Sequence, residues 1–279
     1  MKAKKSYPIV LSIAGSDSSG GAGVQADLKT FSALGVYGAT AITALTAQNT
    51  LGVRSQLAID PQMVYDQITT VVEDLHPRHV KIGMLANADI VNAVAEALSG
   101  YDLSVIFDPV MISSSGHRLL STEAQEVIKQ RLLPLTTLLT PNIPEAEALC
   151  AMPLSSTKNK ELAARYLLDL GAEAVLLKGG HEAGSIKSDT LFRMSPNGIE
   201  SHTLSSETID TKNIHGTGCT LSSAIAAYMA RGYDIIEAIT AAKRYISEAI
   251  RAGADVEIGH GFGPVNHGFN PQKMVTYEE

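Results

Sequence analysis

Lys212-Asn-Ile-His-Gly-Thr-Gly-Cys-Thr-Leu-Ser222 is a glycine-containing turn followed by a helical pattern. Apolar residues recur at helical spacing after the turn, at Leu221, Ala224, Ile225, Tyr228 and Met229. Gly216 and Gly218, on either side of Thr217, leave the N–H groups at the helix start uncovered, where the helix dipole is positive. We therefore expect residues 216–218 to form an anion-binding turn at the start of a helix over 217–231.

Cys219 lies in the first turn of this predicted helix, where the same dipole lowers the pKa of a thiol. An anion site beside an ionisable side chain suits phosphoryl transfer, because the transferred group must be held while its charge redistributes. The alternative is a simple connecting turn with a packed cysteine. His215 precedes the cysteine by four residues and either polarises the thiol or bonds to the backbone.

The composition describes a soluble globule with an acidic balance. The chain has 279 residues, 45% hydrophobic content, a mean hydropathy of +0.08 and a net charge of −7. We interpret residues 1–279 as one domain, since no linker or repeat divides them. The acidic balance without a Lys/Arg run excludes nucleic acid as the main partner, and an anionic substrate needs local positive potential.

Two cysteines, Cys150 and Cys219, fit a reducing cytosol rather than a disulfide framework, and we expect a cytoplasmic protein. The apolar run 8–14 follows a basic start but leads straight into a glycine-rich loop, so we interpret it as a buried strand. No apolar stretch approaches the roughly 20 residues that span a bilayer, and we expect no membrane partner.

Short apolar runs alternate with helical patterns along most of the chain. The predicted strands are 9–14, 38–45, 80–84, 105–108, 138–140 and 174–178. The predicted helices are 21–34, 61–75, 88–98, 122–133, 160–170, 217–231 and 235–252. We expect an α/β fold: a mostly parallel central sheet with helices on both faces, extended at one edge by an antiparallel hairpin over 189–192 and 199–209.

Several chemically informative side chains follow the predicted strands directly. They are Asp17, Gln48, Met84, Asp108, Asn142 and Lys178. In open α/β sheets, ligands bind at the carboxyl ends of the strands, so these residues predict one shared site.

The segment Gly21-Ala-Gly-Val-Gln-Ala26 formally matches a dinucleotide-binding fingerprint. The context disagrees, because six residues separate it from the strand and the second strand ends in Gln48 rather than an acid that binds ribose. A dehydrogenase is therefore a distant alternative. Asp27 lies on the apolar face of the next helix and needs a partner there; it is either a helix-start acid or a ligand-binding residue.

The remaining candidates each have a structural alternative. Asn142 with Glu145 forms a helix-capping pattern, but the same amide and carboxylate can order Mg²⁺ and its waters beside a triphosphate. Lys178 either extends to solvent from the strand end or binds phosphate. Asp108, before Pro109, either begins a turn or belongs to the site.

Eight segments, in order, resemble the ribokinase-like superfamily and, within it, the bacterial hydroxymethylpyrimidine/phosphomethylpyrimidine kinases of thiamin synthesis. They include Ala44-Leu-Thr-Ala-Gln-Asn-Thr50, Lys81-Ile-Gly-Met-Leu85, Thr140-Pro-Asn-Ile-Pro-Glu145, Lys178-Gly-Gly-His181 and His215-Gly-Thr-Gly-Cys-Thr220. The other three are residues 14–31, 108–110 and 259–265. The resemblance covers nearly the whole chain and implies a kinase that uses ATP and Mg²⁺ and forms a homodimer.

The resemblance also implies roles for individual residues. The pocket for the aminopyrimidine ring would be formed by Gly15, Asp27, Gln48, Met84 and Val110, with His215 close by. Asn142 and Glu145 would order Mg²⁺, Lys178 and Asp108 would bind the nucleotide phosphates, and residues 216–218 would form the anion hole.

Cys219 stands where many sugar kinases of the superfamily carry an aspartate base. The resemblance therefore implies phosphorylation of an aminopyrimidine alcohol, with Cys219 as base, and then of its monophosphate. Two alternatives remain: a pyridoxal kinase of the same superfamily, and a non-catalytic nucleotide or pyrimidine sensor. The presence of all the transfer groups argues against the sensor.

Overall fold

The computed structural model describes residues 5–111, 120–180 and 184–278. His181, in the motif that begins at Lys178, lies outside the described residues. The strands are β1 (Lys5–Ser6), β2 (Ile9–Asp17), β3 (Tyr37–Asn49), β4 (Gly52–Ala58), β5 (His79–Ile82), β6 (Ser104–Phe107), β7 (Leu138–Leu139), β8 (Ala174–Leu177), β9 (Ile186–Ser195), β10 (Gly198–Glu207) and β11 (Tyr277–Glu278). The α-helices are α1 (Gly23–Ala33), α2 (Pro61–Leu75), α3 (Ala88–Leu98), α4 (Thr122–Val127), α5 (Ile143–Cys150), α6 (Thr157–Asp169), α7 (Thr217–Ala230) and α8 (Ile235–Gly253).

A nine-stranded sheet organises the chain, in the order β10-β9-β8-β7-β6-β5-β2-β3-β4. The six strands from β8 to β3 run parallel, whereas β9 and β10 form an antiparallel hairpin at one edge. The mostly parallel sheet with a hairpin extension is thus confirmed. The sequence did not predict β4, which adds antiparallel to β3 at the opposite edge, or the separate pair β1–β11.

Alternating strand residues divide the core between the two faces of the sheet. In β8, Val175 and Leu177 pack into the cluster that holds α2 and α3, while Leu176 packs with α7 and α8 on the other face. Strands buried on both faces contain near-continuous apolar runs, as the sequence shows. No helix in the described ranges is long and apolar enough to cross a membrane.

Most helix boundaries follow from capping side chains. Asp60 accepts the N–H groups of Gln62 and Met63, and Pro61 takes the first helical position, so α2 has the predicted bounds. The helix predicted at 122–133 is different: α4 ends at Val127, residues 128–132 form a π-helical turn, and 133–135 a 3₁₀ turn. Pro134 explains the change, because it donates no backbone hydrogen bond.

The predicted start of α1 at residue 21 was two residues early. The N–H groups of Gly21 and Ala22 bond to the Asp17 carboxylate instead, so the helix begins at Gly23. Helix α5 was not among the predicted helices, although the capping pattern of Asn142 and Glu145 indicates where it begins.

Leucines in two environments test this core. Leu11 is fully buried in β2 and Leu57 in β4 is 64% exposed. We expect Leu11→Ala to lower the free energy of unfolding by about 3 kcal/mol, because it leaves a cavity. Leu57→Ala should change it by less than about 0.5 kcal/mol. Urea unfolding of both variants checks this, and equal losses would contradict the assigned core.

Candidate active site

The turn formed by residues 216–218, which we predicted to bind an anion, lies at the start of α7, as expected from the sequence. Gly216 caps the helix with a φ of +81°. A Cβ at this position would lie 1.8 Å from the carbonyl oxygen of Gly21, so close approach and backbone conformation both require glycine. The turn is therefore packed directly against the loop that precedes α1.

A lysine and two carboxylates lie beneath this turn. Lys178 Nζ is 2.6 Å from Asp108 Oδ1 and 4.0 Å from Glu145 Oε2. A Cβ at Gly218 would lie 3.5 Å from both Asp108 Oδ2 and Lys178 Nζ. The amide-rich start of α7 and the Lys178 ammonium thus face the same space, which concentrates positive potential in an acidic protein.

Asn142 and Glu145 form a reciprocal capping box at the start of α5. The Asn142 side chain accepts the Glu145 N–H at 2.9 Å, and Glu145 Oε2 accepts the Asn142 N–H at 2.8 Å. Burial raises the pKa of Glu145 to about 7, Lys178 opposes this and Asp108 adds to it. The capping role is thus present, and the oxygen that caps the helix, Oε2, is also the one that lies 4.0 Å from Lys178 Nζ.

This donor set suits Mg²⁺. Asp108, Glu145 and Asn142 offer the hard oxygen atoms that the ion prefers, and too few of them to surround it. Such a site fits an ion that keeps several waters and is completed by substrate phosphates.

An apolar patch lies at the carboxyl ends of β2, β3 and β5. Met84, which is 8% exposed, packs with Ala44 and the half-buried Val110. A Cβ at Gly15 would lie 2.9 Å from Met84 Sδ, so Gly15 borders the same patch. The structure therefore brings Gly15, Met84 and Val110 together, as a pocket for a flat ring requires.

His215 joins the anion-binding turn to Gln48. Its Nε2 lies 2.8 Å from Asp17 Oδ2 and 3.3 Å from Gln48 Nε2. Burial alone would raise the pKa of Asp17, but bonds from His215 and Ser19 outweigh it and lower the pKa to about 2. A carboxylate only accepts hydrogen bonds, so we assign the His215 proton to Nε2. The Gln48 amide nitrogen then keeps its N–H donors for another acceptor.

Asp27 lies fully buried below these residues rather than at the surface of the pocket. Lys81 Nζ is 2.9 Å from both of its oxygens, and the hydroxyl groups of Ser12 and Ser223 each donate at 2.6 Å. These partners satisfy the carboxylate that the sequence analysis left without one. A direct contact between Asp27 and a ligand would displace one of them.

The expected lowering of the Cys219 pKa is corrected by the structure. The half-buried side chain lies at the start of α7, and the Gly23 N–H donates to its sulfur. Burial nevertheless raises the pKa of the thiol to about 11, against the opposing effect of Lys81. The helix dipole is thus outweighed by the loss of water around the sulfur.

Three polar residues of the site were not singled out by the sequence analysis. They are Lys81, Ser12 and Ser223, which surround Asp27. Lys81 carried a signal, since a lysine inside the apolar strand pattern His79-Val-Lys-Ile82 needs a buried counter-charge. Asp27, on the apolar face of a helix, had the same need, and the two requirements meet in one ion pair.

Two cavities lie elsewhere. One of about 540 Å³ borders the starts of α5 and α6, and one of about 760 Å³ lies between α1 and the segment after α8. Neither is lined by a predicted site residue. The predicted residues are instead joined by direct contacts along the carboxyl edge of the sheet, and it is these contacts that define the candidate site.

The combination of this sheet, an amide-rich turn and a lysine among carboxylates defines a ribokinase-like phosphotransferase. A family model described as phosphomethylpyrimidine kinase matches residues 17–266. The chain belongs to the phosphomethylpyrimidine kinase family. It is 48% identical over 259 residues to the hydroxymethylpyrimidine/phosphomethylpyrimidine kinase of Salmonella typhimurium, which covers 92% of this chain and 96% of the relative.

Solved structures share the fold. The phosphomethylpyrimidine kinase of Clostridium difficile 630 matches with a TM-score of 0.75 and 44% identity, over 87% of this chain and 99% of the other. An ADP complex of Bacillus subtilis pyridoxal kinase matches with a TM-score of 0.85 and 36% identity, over 94% and 98%. The two kinase groups thus share this architecture, and the substrate depends on the site residues.

The raised pKa of Glu145 predicts a pH-dependent stability. Its pKa rises from 4.5 to about 7 on folding, so the folded state favours the protonated form. The stability that Glu145 contributes below pH 4.5 is therefore lost as the pH rises towards 7. In Mg²⁺-free urea unfolding at pH 5, 6, 7 and 8, Glu145→Gln should gain stability relative to wild type as the pH rises. The exposed Glu161→Gln is the control, and a constant difference would contradict the shift.

Proposed function

We propose that this chain transfers the terminal phosphoryl group of ATP to 4-amino-5-hydroxymethyl-2-methylpyrimidine and then to the monophosphate it has made. The main support is the position of Cys219, which lies near Lys178 and Asp108 and accepts the N–H of Gly23 at the start of α1. Family membership supports the same substrates. The resemblance also implies a cytoplasmic homodimer, and both remain part of the proposal.

The nucleotide phosphates bind between the start of α7 and Lys178. The ADP complex of the related pyridoxal kinase supports nucleotide binding in this fold. Lys178 and the amides of Gly216 and Gly218 hold the phosphoryl oxygens, while the Thr217 amide donates to the Ile214 carbonyl. Asp108 and Glu145 would hold Mg²⁺, with Asn142 orienting its waters. When bound, the ion neutralises phosphate charge.

The pyrimidine ring lies against the apolar patch. Met84 and Val110 pack on its face, Gly15 admits it closely, and the amide of Gln48 reads the polar ring edge. His215, bonded to Asp17, lies beside the Gln48 amide, and the Thr46 hydroxyl holds that amide by donating to Gln48 Oε1 at 3.2 Å. Asp27 does not contact the ring. It lies below the pocket, where it bonds to Lys81, Ser12 and Ser223.

In the first reaction an alcohol oxygen is the nucleophile. Cys219, as thiolate, takes the hydroxyl proton, the oxygen forms a bond to the γ-phosphorus, and the bond to the ADP oxygen breaks. The proton ends on sulfur and the negative charge leaves with ADP. The thiol pKa of about 11 makes the thiolate scarce at neutral pH, and a general base works best with a pKa near the operating pH, so this step needs positive charge near the sulfur.

The second reaction starts from a phosphomonoester, whose oxygens are already anionic above a second pKa of about 6. No proton has to be removed from the attacking oxygen. Transfer then needs only that the turn at residues 216–218 and Lys178 position the phosphoryl group. One site can therefore serve two acceptors of different acidity.

Pyridoxal is the second candidate acceptor. The B. subtilis pyridoxal kinase aligns with 94% of this chain. Pyridoxal likewise carries a hydroxymethyl group on a flat heteroaromatic ring, so the same patch can receive it.

The function is tested by coupled ADP release with the pyrimidine alcohol, its monophosphate and pyridoxal in parallel. We expect turnover of both pyrimidines, each dependent on Mg²⁺, with kcat/KM for pyridoxal at least about tenfold lower, because the polar edge of the ring differs. Turnover of pyridoxal alone would favour the second candidate. No turnover of either pyrimidine would overturn the proposal.

Replacing the base should affect the two reactions unequally. Cys219→Ala should lower kcat with the alcohol by about 100-fold, because a general base contributes that order of rate. It should lower kcat with the monophosphate by less than about tenfold. Cys150→Ala, in the core away from the site, is the matched control. Equal losses in both reactions would count against Cys219 as base.

A further inference from the structure

Lys81 is a buried cation for which the two reactions above have no role. Its side chain is fully buried, and Nζ lies 2.9 Å from both oxygens of Asp27. A Cβ at Gly83 would lie 2.9 Å from Nζ, so the ammonium group reaches the carboxyl end of β5, the edge that carries the site. A lysine placed there at the expense of its hydration needs an explanation.

The helices α1 and α7 bring this ion pair close to Cys219. The N–H of Gly23 donates to the Cys219 sulfur, and the Ser223 hydroxyl donates to Asp27. Gly23 and Asp27 are one turn apart on α1, as Cys219 and Ser223 are on α7. Residues four apart on a helix have Cβ atoms about 6 Å apart, so the ion pair lies about one turn below the sulfur.

Four charged side chains act on the sulfur, from different elements. Lys81 comes from β5, Asp27 from α1, Asp108 follows β6 and Lys178 follows β8. Burial has the largest effect on the pKa of Cys219 and raises it; Lys81 comes next and lowers it, and Asp27 and Asp108 raise it. Among the described contacts, Lys81 has no hydrogen bond or ion pair with Asp108, Glu145 or Lys178, although Asp108 also favours its charged form.

We propose that Lys81 is a positioning residue whose ammonium charge stabilises the thiolate of Cys219 and so supports the first phosphoryl transfer. The part that concerns transfer rests on the proposed function; the part that concerns the thiolate does not. Asp27 keeps the ammonium charged and fixes it below the sulfur. Lys81 itself keeps its proton throughout, and the alcohol proton goes to the sulfur.

A purely structural ion pair would behave differently. Replacing both members of a buried pair with neutral side chains is often neutral for stability, because the desolvation penalty disappears with the charges. Such a pair would leave the thiol unchanged. A thiolate-stabilising role instead predicts that each charge, removed alone, shifts the thiol pKa in its own direction.

The test measures the thiol directly, in a Cys150→Ala background where Cys219 is the only thiol. Iodoacetamide alkylation rates between pH 7 and 9 report the thiolate fraction. The variants are Lys81→Met, Asp27→Asn and the double substitution, with the exposed Lys158→Met as control. We expect Lys81→Met to slow alkylation by at least about tenfold, one pKa unit, and Asp27→Asn to accelerate it. The double variant should lie between Lys81→Met and the parent.

The two single variants are expected to change the alkylation rate in opposite directions. This separates an effect of charge from an effect of solvent access to the thiol, because a loosened site would speed alkylation in every variant. Thermal unfolding identifies any variant that fails to fold, and the double variant, which leaves no unpaired buried charge, keeps the test available. Equal thiol reactivity in Lys81→Met and the parent would overturn the proposal.

Turnover gives a second, independent result. In Lys81→Met, kcat with the alcohol should fall more than kcat with the monophosphate, because only the alcohol needs the thiolate. Unequal alkylation with no pyrimidine turnover by the parent would reject the proposed function alone. Unchanged alkylation with normal turnover would reject the role of Lys81 alone.

Discussion

The first turns of α1 and α7 pack against each other so closely that a side chain at Gly216 would collide with the Gly21 carbonyl. This contact places two helix N-termini side by side at the carboxyl edge of the sheet. The Gly23 N–H at the start of α1 donates to the Cys219 sulfur in the first turn of α7. Under the proposed function, the contact between these helices would set the distance between the transferred phosphoryl group and its acceptor. Larger residues at either glycine would separate the two halves of the site.

The lysines of the site provide local positive charge in a protein whose net charge is negative. The whole chain carries a net charge of −7, yet Lys178 and Lys81 both lie at the sheet edge, each bonded to a carboxylate. A buried ion pair keeps its lysine charged, and burial weakens the screening that would otherwise reduce its effect. The anion binding that we propose would therefore depend on a few desolvated cations and helix amides, not on the overall charge of the protein.

Much of this arrangement could be predicted from periodicity and strand ends. Apolar runs predicted all six parallel strands, and Asp108, Asn142 and Lys178 were expected at one edge because parallel strands end there. The sequence could not predict the partner of Asp27 or the raised pKa of Cys219, because both depend on distances between segments that are remote in sequence. The exposed strand β4 has no alternating apolar pattern, and the π turn after α4 depends on how Pro134 is accommodated. Local sequence patterns therefore predicted the helices and strands, whereas the pKa values and ion pairs depend on long-range packing.

Burial has opposite effects on the two parts of the chemistry. Excluding water strengthens the hold of Lys178 and the α7 amides on phosphate, because electrostatic interactions grow as the effective dielectric constant falls. The same exclusion raises the pKa of Cys219 and makes its thiolate rarer. A site that phosphorylates an alcohol must therefore supply a compensating positive charge near the sulfur, one that the nucleotide phosphates do not neutralise. Lys81 meets this condition, because its fully buried ammonium group is held by Asp27, which Ser12 and Ser223 hold in turn.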